Sequence, residues 1–466
     1  MDKLRCSKKF DRSEQIVLVT LLSVPAIIAQ LASVLMHYID MAMLGHLGSQ
    51  EAAGIGLVST TIWMFWGIGS AGITGFHVLA GQKIGARDNQ AVHSLMCQSL
   101  SVTVLWGTAL AVAGLAIAEK LPTWLGANGP VAGFASDYFF IVIASWPLVM
   151  VNFLETGMLR VSGNMKTPSL LGVAMCVLDV VFNALLIFPS RDIHLFNLTL
   201  TVPGLDLGVQ GAAWATVLAT AIVMLASCWF ACVKSEHLSI ISGTNSFIPR
   251  VDDLVRSLKI GVPVSAQRIV MSGAQIVSTV IVAPLGTVAL VAHSFAITAE
   301  SLCYMPGYGI REAATTLTAQ TIGSGQIGRA RQIGSVTIAV GMAVMTFMGV
   351  VMFIAAEPII ATMTPDADIV RLGATILRIE AFAEPMFAAS IVAYGCFLGA
   401  ADTLVPSVMN LASMWIVRLP LAFCLSQTMG LIGVWIAMCL ELFFRGAIFL
   451  LRFYKGSWLP RHSNSV

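Results

Sequence analysis

Charged residues are scarce in this chain of 466 residues: Asp, Glu, Lys and Arg make up only 11% of it, whereas 57% is hydrophobic. Soluble globular proteins carry about 25% charged residues, so this composition excludes a soluble fold and indicates an integral membrane protein. The mean hydropathy of +0.85 supports the same conclusion. The net charge of +2 does not indicate nucleic-acid binding, because the basic residues are spread over short loops.

The sequence also lacks the motifs of several functional classes. It contains no His-Glu-x-x-His motif, no Gly-x-Ser-x-Gly elbow and no phosphate-binding loop, so we predict neither an enzyme nor a transporter driven by ATP. No loop resembles an ion-selectivity filter, which disfavours a channel. Most of the nine cysteines lie in apolar runs, without the spacing of a disulfide framework or a metal site. We therefore expect no cofactor.

Long apolar runs, in contrast, are abundant. Twelve of them have the length of about 20 residues that a membrane-spanning helix needs, and they lie at 16–44, 55–80, 93–117, 132–155, 169–189, 208–232, 257–283, 287–311, 334–355, 373–399, 405–426 and 430–452. If the N-terminus is cytoplasmic, 18 Lys and Arg fall on that side, and only Lys120, Arg191 and Arg371 fall on the other. This asymmetry follows the positive-inside rule and predicts that both termini are cytoplasmic.

The two halves of the chain repeat each other at an offset of 238 residues. The matched pairs are Pro25 and Pro263, Gly48 and Gly286, Gln82 and Gln320, Gly85 and Gly323, Gly157 and Gly395, and Pro168 and Pro406. The first half carries about 16 additional residues near 190–206, between spans five and six. An even number of spans in each half predicts parallel repeats, related by a pseudo-twofold axis along the membrane normal.

The repeat defines the predicted architecture, an all-α integral membrane protein with twelve transmembrane helices in two six-helix lobes. Residues 1–233 form the N-lobe with helices 1–6, and residues 234–256 form a cytoplasmic linker between the lobes. Residues 257–466 form the C-lobe with helices 7–12 and a cytoplasmic tail. Such halves usually place a substrate cavity between them and rock to alternate its access.

The first apolar run, from Ile16 to Leu44, carries both a proline and a carboxylate. Asp40 lies near one end of the run and Pro25 lies near the other. A carboxylate within a membrane helix is costly and usually faces a wet cavity or a partner. Proline removes one backbone hydrogen bond, so the helix can bend at Pro25. We interpret this span as a part that moves when its charge changes; the alternative is that Asp40 faces water at the membrane surface.

Several motifs resemble those of the multidrug and toxic compound extrusion family. They are Pro25 with Ile39-Asp40, LGHLG at 44–48, the AGQKIGA turn at 80–86, GNMKTP at 163–168 and LGVQGAAWAT at 207–216. The resemblance covers nearly the whole chain, in order. It implies a monomeric secondary antiporter with two lobes in a V shape, which exports organic cations and other amphipathic compounds against an inward proton or sodium gradient.

The resemblance also implies a cation site in the first half. In the family, an Asp on helix one joins an Asn and an Asp four residues apart on helix five and a Thr on helix six, and the matching residues here are Asp40, Asp179, Asn183 and Thr216. The Asp and Asn of helix five are exchanged, which leaves the choice of ion open. Asn152 lies where a supporting polar group is expected; hydrogen bonding between helices is the alternative role of Asn152 and Asn183. Oxygen ligands suit sodium, and two close carboxylates also favour the binding of one shared proton.

The second half departs from this pattern. Ser278 and Val417 stand where the repeat would place the two aspartates. Some family members instead carry a sodium site with acids on helices seven and ten. The corresponding positions are Met271 and Phe387, so that particular site is predicted to be absent.

Other ionisable residues within the C-lobe spans are candidates for the substrate cavity. Glu300, Glu384 and Arg268 are the three that we select. The alternative is that the two glutamates pair with Arg268 or with Arg418, because an unpaired charge is disfavoured inside a membrane. Glu380 lies near the external end of its span and is expected to be solvated.

We therefore predict export coupled to protons or sodium, in the cytoplasmic (inner) membrane of a bacterium. The predicted partners are small amphipathic or cationic substrates and membrane lipid, without nucleic acid. Neutralisation of Asp40 is expected to bend helix one at Pro25 and to expel the substrate. The alternative function is a flippase for lipid-linked saccharides or another lipid, from the same superfamily, which would need a strongly basic cavity.

Overall fold

A computed structural model of the chain describes residues 11–45, 47–195, 198–240 and 246–460. The ends of the two predicted lobes, at 1–10 and 461–466, lie outside the described residues, as does the part of the predicted linker at 241–245. The described residues are helical apart from one β-hairpin and the connecting loops.

The first half forms six membrane spans, of which the fourth is broken at Ser145 with a bend of 49°. Its elements are α1 (Arg12–Gly45), α2 (Ser49–Gly85) and α3 (Asn89–Ile117) as spans one to three, the short α4 (Leu121–Trp124), α5 (Pro130–Ala144) with α6 (Trp146–Val161) as span four, α7 (Lys166–Leu186) as span five, and α8 (Gly208–Cys228) with a π-helix (Trp229–Lys234) as span six.

The second half repeats this arrangement, and its broken span is the tenth, with a bend of 57°. Its elements are α9 (Val251–Val282) with a 3₁₀ turn (Ala283–Leu285) as span seven, α10 (Thr287–Gly323) as span eight, α11 (Ile327–Ala361) as span nine, α12 (Ala367–Ala381) with α13 (Glu384–Gly399) as span ten, and α14 (Leu404–Ala412), a π-helix (Ser413–Arg418) and α15 (Leu419–Lys455) as spans eleven and twelve.

Spans eleven and twelve lie in one stretch of 52 residues, Leu404–Lys455, which is broken by a kink at Gly430. Gly430 has a positive φ of 59° inside it, a conformation that glycine adopts without a steric penalty. The chain reverses there, which brings Gly433 against the Leu425 carbonyl. The described residues thus contain twelve spans, and the predicted all-α membrane fold with two repeated lobes is confirmed.

Two local features differ from the sequence prediction. The AGQKIGA motif at 80–86 is helical through Gly85 rather than a turn, because α2 ends only at that residue. In the same way, α10 continues to Gly323 rather than ending near 311. Helices extend beyond the apolar run because the polar interfacial layer adds to the thickness of the hydrocarbon core. The additional residues near 190–206 form an antiparallel hairpin of β1 (Pro189–Leu195) and β2 (Leu198–Leu205), the one β element among the described residues.

Each lobe has its own apolar core, and a smaller cluster connects the two. In that cluster, Val19 and Leu22 of span one pack with Ala313 and Leu317 of span eight. Span one therefore contacts the C-lobe with the segment that precedes Pro25. Beyond Pro25 it packs on span five of the N-lobe and also contacts the C-lobe, where Ile27 lies against Gly309 of span eight.

Gly211 lies at the point where the hairpin leads into span six. A Cβ atom at Gly211 would lie 2.4 Å from the Leu186 carbonyl oxygen, so Gly211→Ala must displace the adjoining ends of spans five and six. We expect a loss of stability of about 1–3 kcal/mol, typical of an overpacked contact, measured as a lower apparent Tm in detergent.

The control variant is Gly133→Ala, because a Cβ atom at Gly133 meets nothing within 4 Å. Alanine is the better helix former, so we expect the Tm of this variant to be unchanged or higher. Equal Tm values for the wild type and Gly211→Ala would contradict the close packing of spans five and six.

Candidate functional site

Three polar side chains meet within the N-lobe at spans one and five. The Asn183 side-chain Nδ2 donates one hydrogen bond to Asp40 Oδ1 at 3.0 Å and another to Asp179 Oδ2 at 2.9 Å. Asp179 is completely buried and Asn183 is 3% exposed. One amide group therefore bridges two carboxyl groups, which are electrostatic neighbours inside the lobe.

The helical geometry of span five explains this arrangement. Asp179 and Asn183 are four residues apart, so they lie one turn apart on the same face of α7. That face packs against span one, which carries Asp40. The structure thus brings together the three residues that the sequence places on two different helices.

A small cavity adjoins the three side chains. It has a volume of about 30 Å³, and its lining consists of Asp40, Leu44, Tyr138, Asn183, Ile187, Ala212 and Thr216. About 10–15 Å³ is enough for one water molecule, so the cavity has room for a single small ion. Asp179 Oδ1 and Asn183 Oδ1 have no hydrogen-bond partner among the described residues. The Asp179 oxygen is free to accept a proton, and both oxygens are free to bind a cation.

Of the two remaining predicted residues, Thr216 joins the cavity and Asn152 does not. The Thr216 hydroxyl lines the cavity and interacts with Asp179. The Asn152 Oδ1 instead accepts a hydrogen bond of 3.3 Å from Ser227 on span six. Asn152 therefore connects spans four and six, as in the alternative that the sequence left open.

Sequence reasoning missed two tyrosines near this cluster. Tyr138 lines the cavity from span four. The Tyr38 hydroxyl, two residues from Asp40, donates a hydrogen bond of 2.8 Å to the Thr298 carbonyl on span eight of the C-lobe. A tyrosine within an apolar span usually has a partner for its hydroxyl group, but the sequence does not indicate which one.

A second group of buried acids lies in the C-lobe. Glu300 is 7% exposed, and Glu380 and Glu384 are completely buried. Neither Glu380 nor Glu384 has a hydrogen-bond partner for its carboxyl oxygens among the described residues. We name these three residues the C-lobe acidic cluster.

The burial of Glu380 corrects the expectation that it is solvated. Glu380 and Glu384 flank the break between α12 and α13, and both side chains lie inside the lobe. Arg378, two residues earlier, lies on another face of the helix and pairs with the exposed Glu357 at 3.8 Å. The reason is the helical period, since positions two residues apart do not face the same way.

The alternative in which the arginines pair with the two glutamates is met only in part, because Arg418 neighbours Glu300 but not Glu384. Arg418 is 8% exposed and is an electrostatic neighbour of Glu300 and Glu380. Arg445 forms two hydrogen bonds of 2.7 Å with Glu441, an acid that sequence reasoning missed. The sequence did contain a sign of this ion pair, because Glu441 and Arg445 are four residues apart on one helix.

Arg268 is not brought together with the two glutamates. Its charged neighbours are Arg311 and Glu312, and it also lies near Tyr308 and Tyr394. The acidic cluster therefore has Arg418 and the already paired Arg445 as its basic neighbours among the described residues. Three carboxyl groups exceed this positive charge, so a neutral cluster requires protons or a bound cation.

Comparison with known proteins connects this geometry with a transporter family. The model of the MatE family matches the chain twice, over residues 25–185 and 263–424. The matches begin at Pro25 and Pro263, which are one repeat apart. A Thermotoga maritima relative, "Probable multidrug resistance protein NorM", is 26% identical over 94% of this chain and 92% of its own length.

Further comparisons agree with this match. "Probable multidrug resistance protein YoeA" of Bacillus subtilis is 24% identical over 82% of this chain and 79% of its own length. A solved structure described as the "Outward-facing conformation of a multidrug resistance MATE family transporter of the MOP superfamily" superposes with a TM-score of 0.86. It is 20% identical and covers 97% of this chain and 98% of its own. The prediction that the protein is not an enzyme is confirmed, and the chain belongs to the MatE family of multidrug and toxic compound extrusion transporters.

Proposed function

We propose that this transporter is a secondary antiporter, which exports organic cations or amphipathic drugs in exchange for protons or sodium. The observation that carries the proposal is the pair Asp40 and Asp179, bridged by Asn183 beside an ion-sized cavity. The two carboxyl groups require a positive partner when both are ionised, and a proton or a sodium ion supplies it. Thr216 adds a hydroxyl ligand, and Asn152 supports the packing of span four.

Span one is the part that converts ion binding into movement. Pro25 lies inside α1 and has no N–H group, so the Leu21 carbonyl lacks its usual helical partner. Before Pro25, Val19 and Leu22 hold the helix against the C-lobe. Beyond Pro25, Asp40 belongs to the ion site of the N-lobe. A bend at Pro25 therefore moves Asp40 and changes the contacts that Ile27 and Tyr38, beyond the proline, make with span eight of the C-lobe.

The C-lobe acidic cluster is the proposed site for the cationic substrate. Glu300 and Glu384 are the two residues that we propose contact the substrate. Both are buried, and Glu384 has no hydrogen-bond partner among the described residues. Arg268 lies apart from them and would contact a substrate at another point, beside Tyr308 and Tyr394. Acidic rather than basic residues dominate the cluster, which favours export of cations over the alternative, a flippase for lipid-linked saccharides.

We further propose that both termini lie in the cytoplasm and that the protein works as a monomer in the inner membrane. The excess of Lys and Arg on the side of the termini supports this orientation. Lobe boundaries at 1–233 and 257–466, with a linker at 234–256, are consistent with the two family matches.

Asp40→Asn is expected to lower gradient-driven efflux by a factor of about ten or more, because coupling between sites is typically 5- to 150-fold. Ethidium efflux from proteoliposomes is measured with a pH gradient and a sodium gradient imposed separately. Asp137→Asn is the matched control, since Asp137 is an exposed acid of the same lobe. Normal efflux by Asp40→Asn would contradict the coupling role. Wild-type protein inactive under both gradients would favour the flippase.

Glu384→Gln is expected to weaken ethidium binding about 10- to 100-fold, because it removes a charged contact worth about 1.5–3 kcal/mol. Equilibrium binding to purified protein in detergent measures the change. Glu357→Gln is the control, because the side chain of Glu357 is 67% exposed and lies outside the cluster. An unchanged Kd for Glu384→Gln would remove Glu384 from the substrate site.

Arg445→Met is expected to destabilise the protein by about 3–5 kcal/mol, because it leaves Glu441 buried and without its ionic partner. The double variant Glu441→Gln with Arg445→Met should recover most of this loss. Thermal unfolding in detergent measures both. Arg371→Met, which removes an exposed pair with Asp368, should change the stability by at most about 1 kcal/mol. Equal destabilisation by Arg371→Met and Arg445→Met would contradict the structural role of the buried pair.

A further inference from the structure

The proposed ion and substrate sites leave one repeated motif without a role. AGQKIGA (80–86) ends span two, and its repeat partner TAQTIGS (318–324) ends span eight. Both lie on the membrane side that carries the two termini, which we call the termini side. Gln82 and Gln320 occupy equivalent positions in the two motifs.

Each glutamine donates a hydrogen bond to the opposite lobe. Gln82 Nε2 donates to the Gly399 carbonyl at 3.1 Å, and Gln320 Nε2 donates to the Val161 carbonyl at 2.6 Å. Val161 and Gly399 are themselves 238 residues apart. Donors and acceptors thus follow the same repeat, and the two bonds are related by the pseudo-twofold axis between the lobes.

The backbones of the two motifs also touch. A Cβ atom at Gly85 would lie 2.1 Å from the Gln320 carbonyl oxygen, and one at Gly323 would lie 1.9 Å from that of Gln82. Any other residue at either position would separate the lobes. The glycines therefore permit the close approach of the two backbones, and the hydrogen bonds of the two glutamines stabilise it.

Further polar contacts join the lobes at this level. Lys83 forms an ion pair of 3.3 Å with Asp253 of span seven. The Thr316 hydroxyl donates to the Arg160 carbonyl at 3.3 Å. Gln320 is completely buried among these contacts. The termini side of the interface is closed in this structure.

The chemistry of the closure suits an interface that opens repeatedly. A neutral amide–carbonyl hydrogen bond contributes only about 0.5–1.5 kcal/mol net, because water replaces it when the groups separate. Two such bonds stabilise a closed state without preventing its opening. The ion pair of Lys83 with Asp253 is only partly buried, so separating its charges costs less than separating a fully buried pair.

We propose that Gln82, Gln320, Gly85 and Gly323 form a twofold-symmetric gate on the termini side, whose two halves open together when the lobes rock. The gate rests on the proposed transport function only in requiring alternating access, and it is independent of the coupling ion. Because each half binds the opposite lobe, weakening one half exposes both motifs.

Hydrogen–deuterium exchange of the full-length protein in nanodiscs, without substrate or ion gradient, tests the gate. The two segments followed are 80–88 and 318–326. Gln82→Ala, which alters only the N-lobe, should raise exchange about two- to tenfold in both segments, the range that one hydrogen bond supplies. Gly85→Ala should have the same effect more strongly, and Gln320→Ala should reproduce it from the other lobe.

Gln90→Ala and Gln332→Ala are the controls, because both glutamines are exposed on the termini side. For the glycine variant the control is Gly328→Ala, where a Cβ atom meets nothing within 4 Å. None of the controls should change exchange in the segment of the opposite lobe.

A rise in exchange confined to the mutated segment would overturn the gate, because a local helix defect produces that pattern. Unchanged exchange in both segments would overturn it as well. A rise in exchange in both segments of the variants, together with no wild-type efflux under either gradient, would keep the gate and reject the antiport proposal. Ion-driven efflux by the wild type, together with a rise in exchange that is confined to the mutated segment, would keep the antiport proposal and reject the gate.

Discussion

Ionisable side chains inside the spans need compensation from the protein or from a bound ion, because the hydrocarbon core supplies neither water nor counter-ions. The Asn183 amide group meets part of this need by donating to Asp40 and Asp179 at once. An amide group carries no net charge, however, so it orients the two carboxyl groups without neutralising them. The negative charge that remains when both groups are ionised supports the proposal that a proton or a cation binds there.

The C-lobe handles its buried acids in two different ways. Glu441 has a complete ionic partner in Arg445, and such a pair contributes a fixed contact between helical turns. Glu380 and Glu384 have no hydrogen-bond partner among the described residues. A buried carboxyl group without a partner is costly, so these two residues are where a positively charged ligand gains most by binding.

Span one connects these two regions. Its segment before Pro25 packs on span eight, its segment beyond Pro25 carries Asp40, and Tyr38 reaches the Thr298 carbonyl two residues from Glu300. The proposed ion site of the N-lobe and the proposed substrate site of the C-lobe therefore both lie beside this one helix. Reciprocal coupling requires a shared element of this kind. The proposed gate on the termini side is a second element that a rocking motion of the lobes would involve.

The sequence by itself determined the membrane class, the twelve spans and the twofold repeat, because each depends on composition, run length or a fixed offset along the chain. It also placed Asp179 and Asn183 on one helical face, since their spacing of four residues is local. Only the tertiary structure decided which helices meet: that Asn183 bridges to Asp40, that Asn152 turns to Ser227, that Glu380 is buried and that Arg268 lies away from Glu384. In a helix that is apolar on every side, periodicity does not reveal which face is buried, so these contacts depend on how the spans pack.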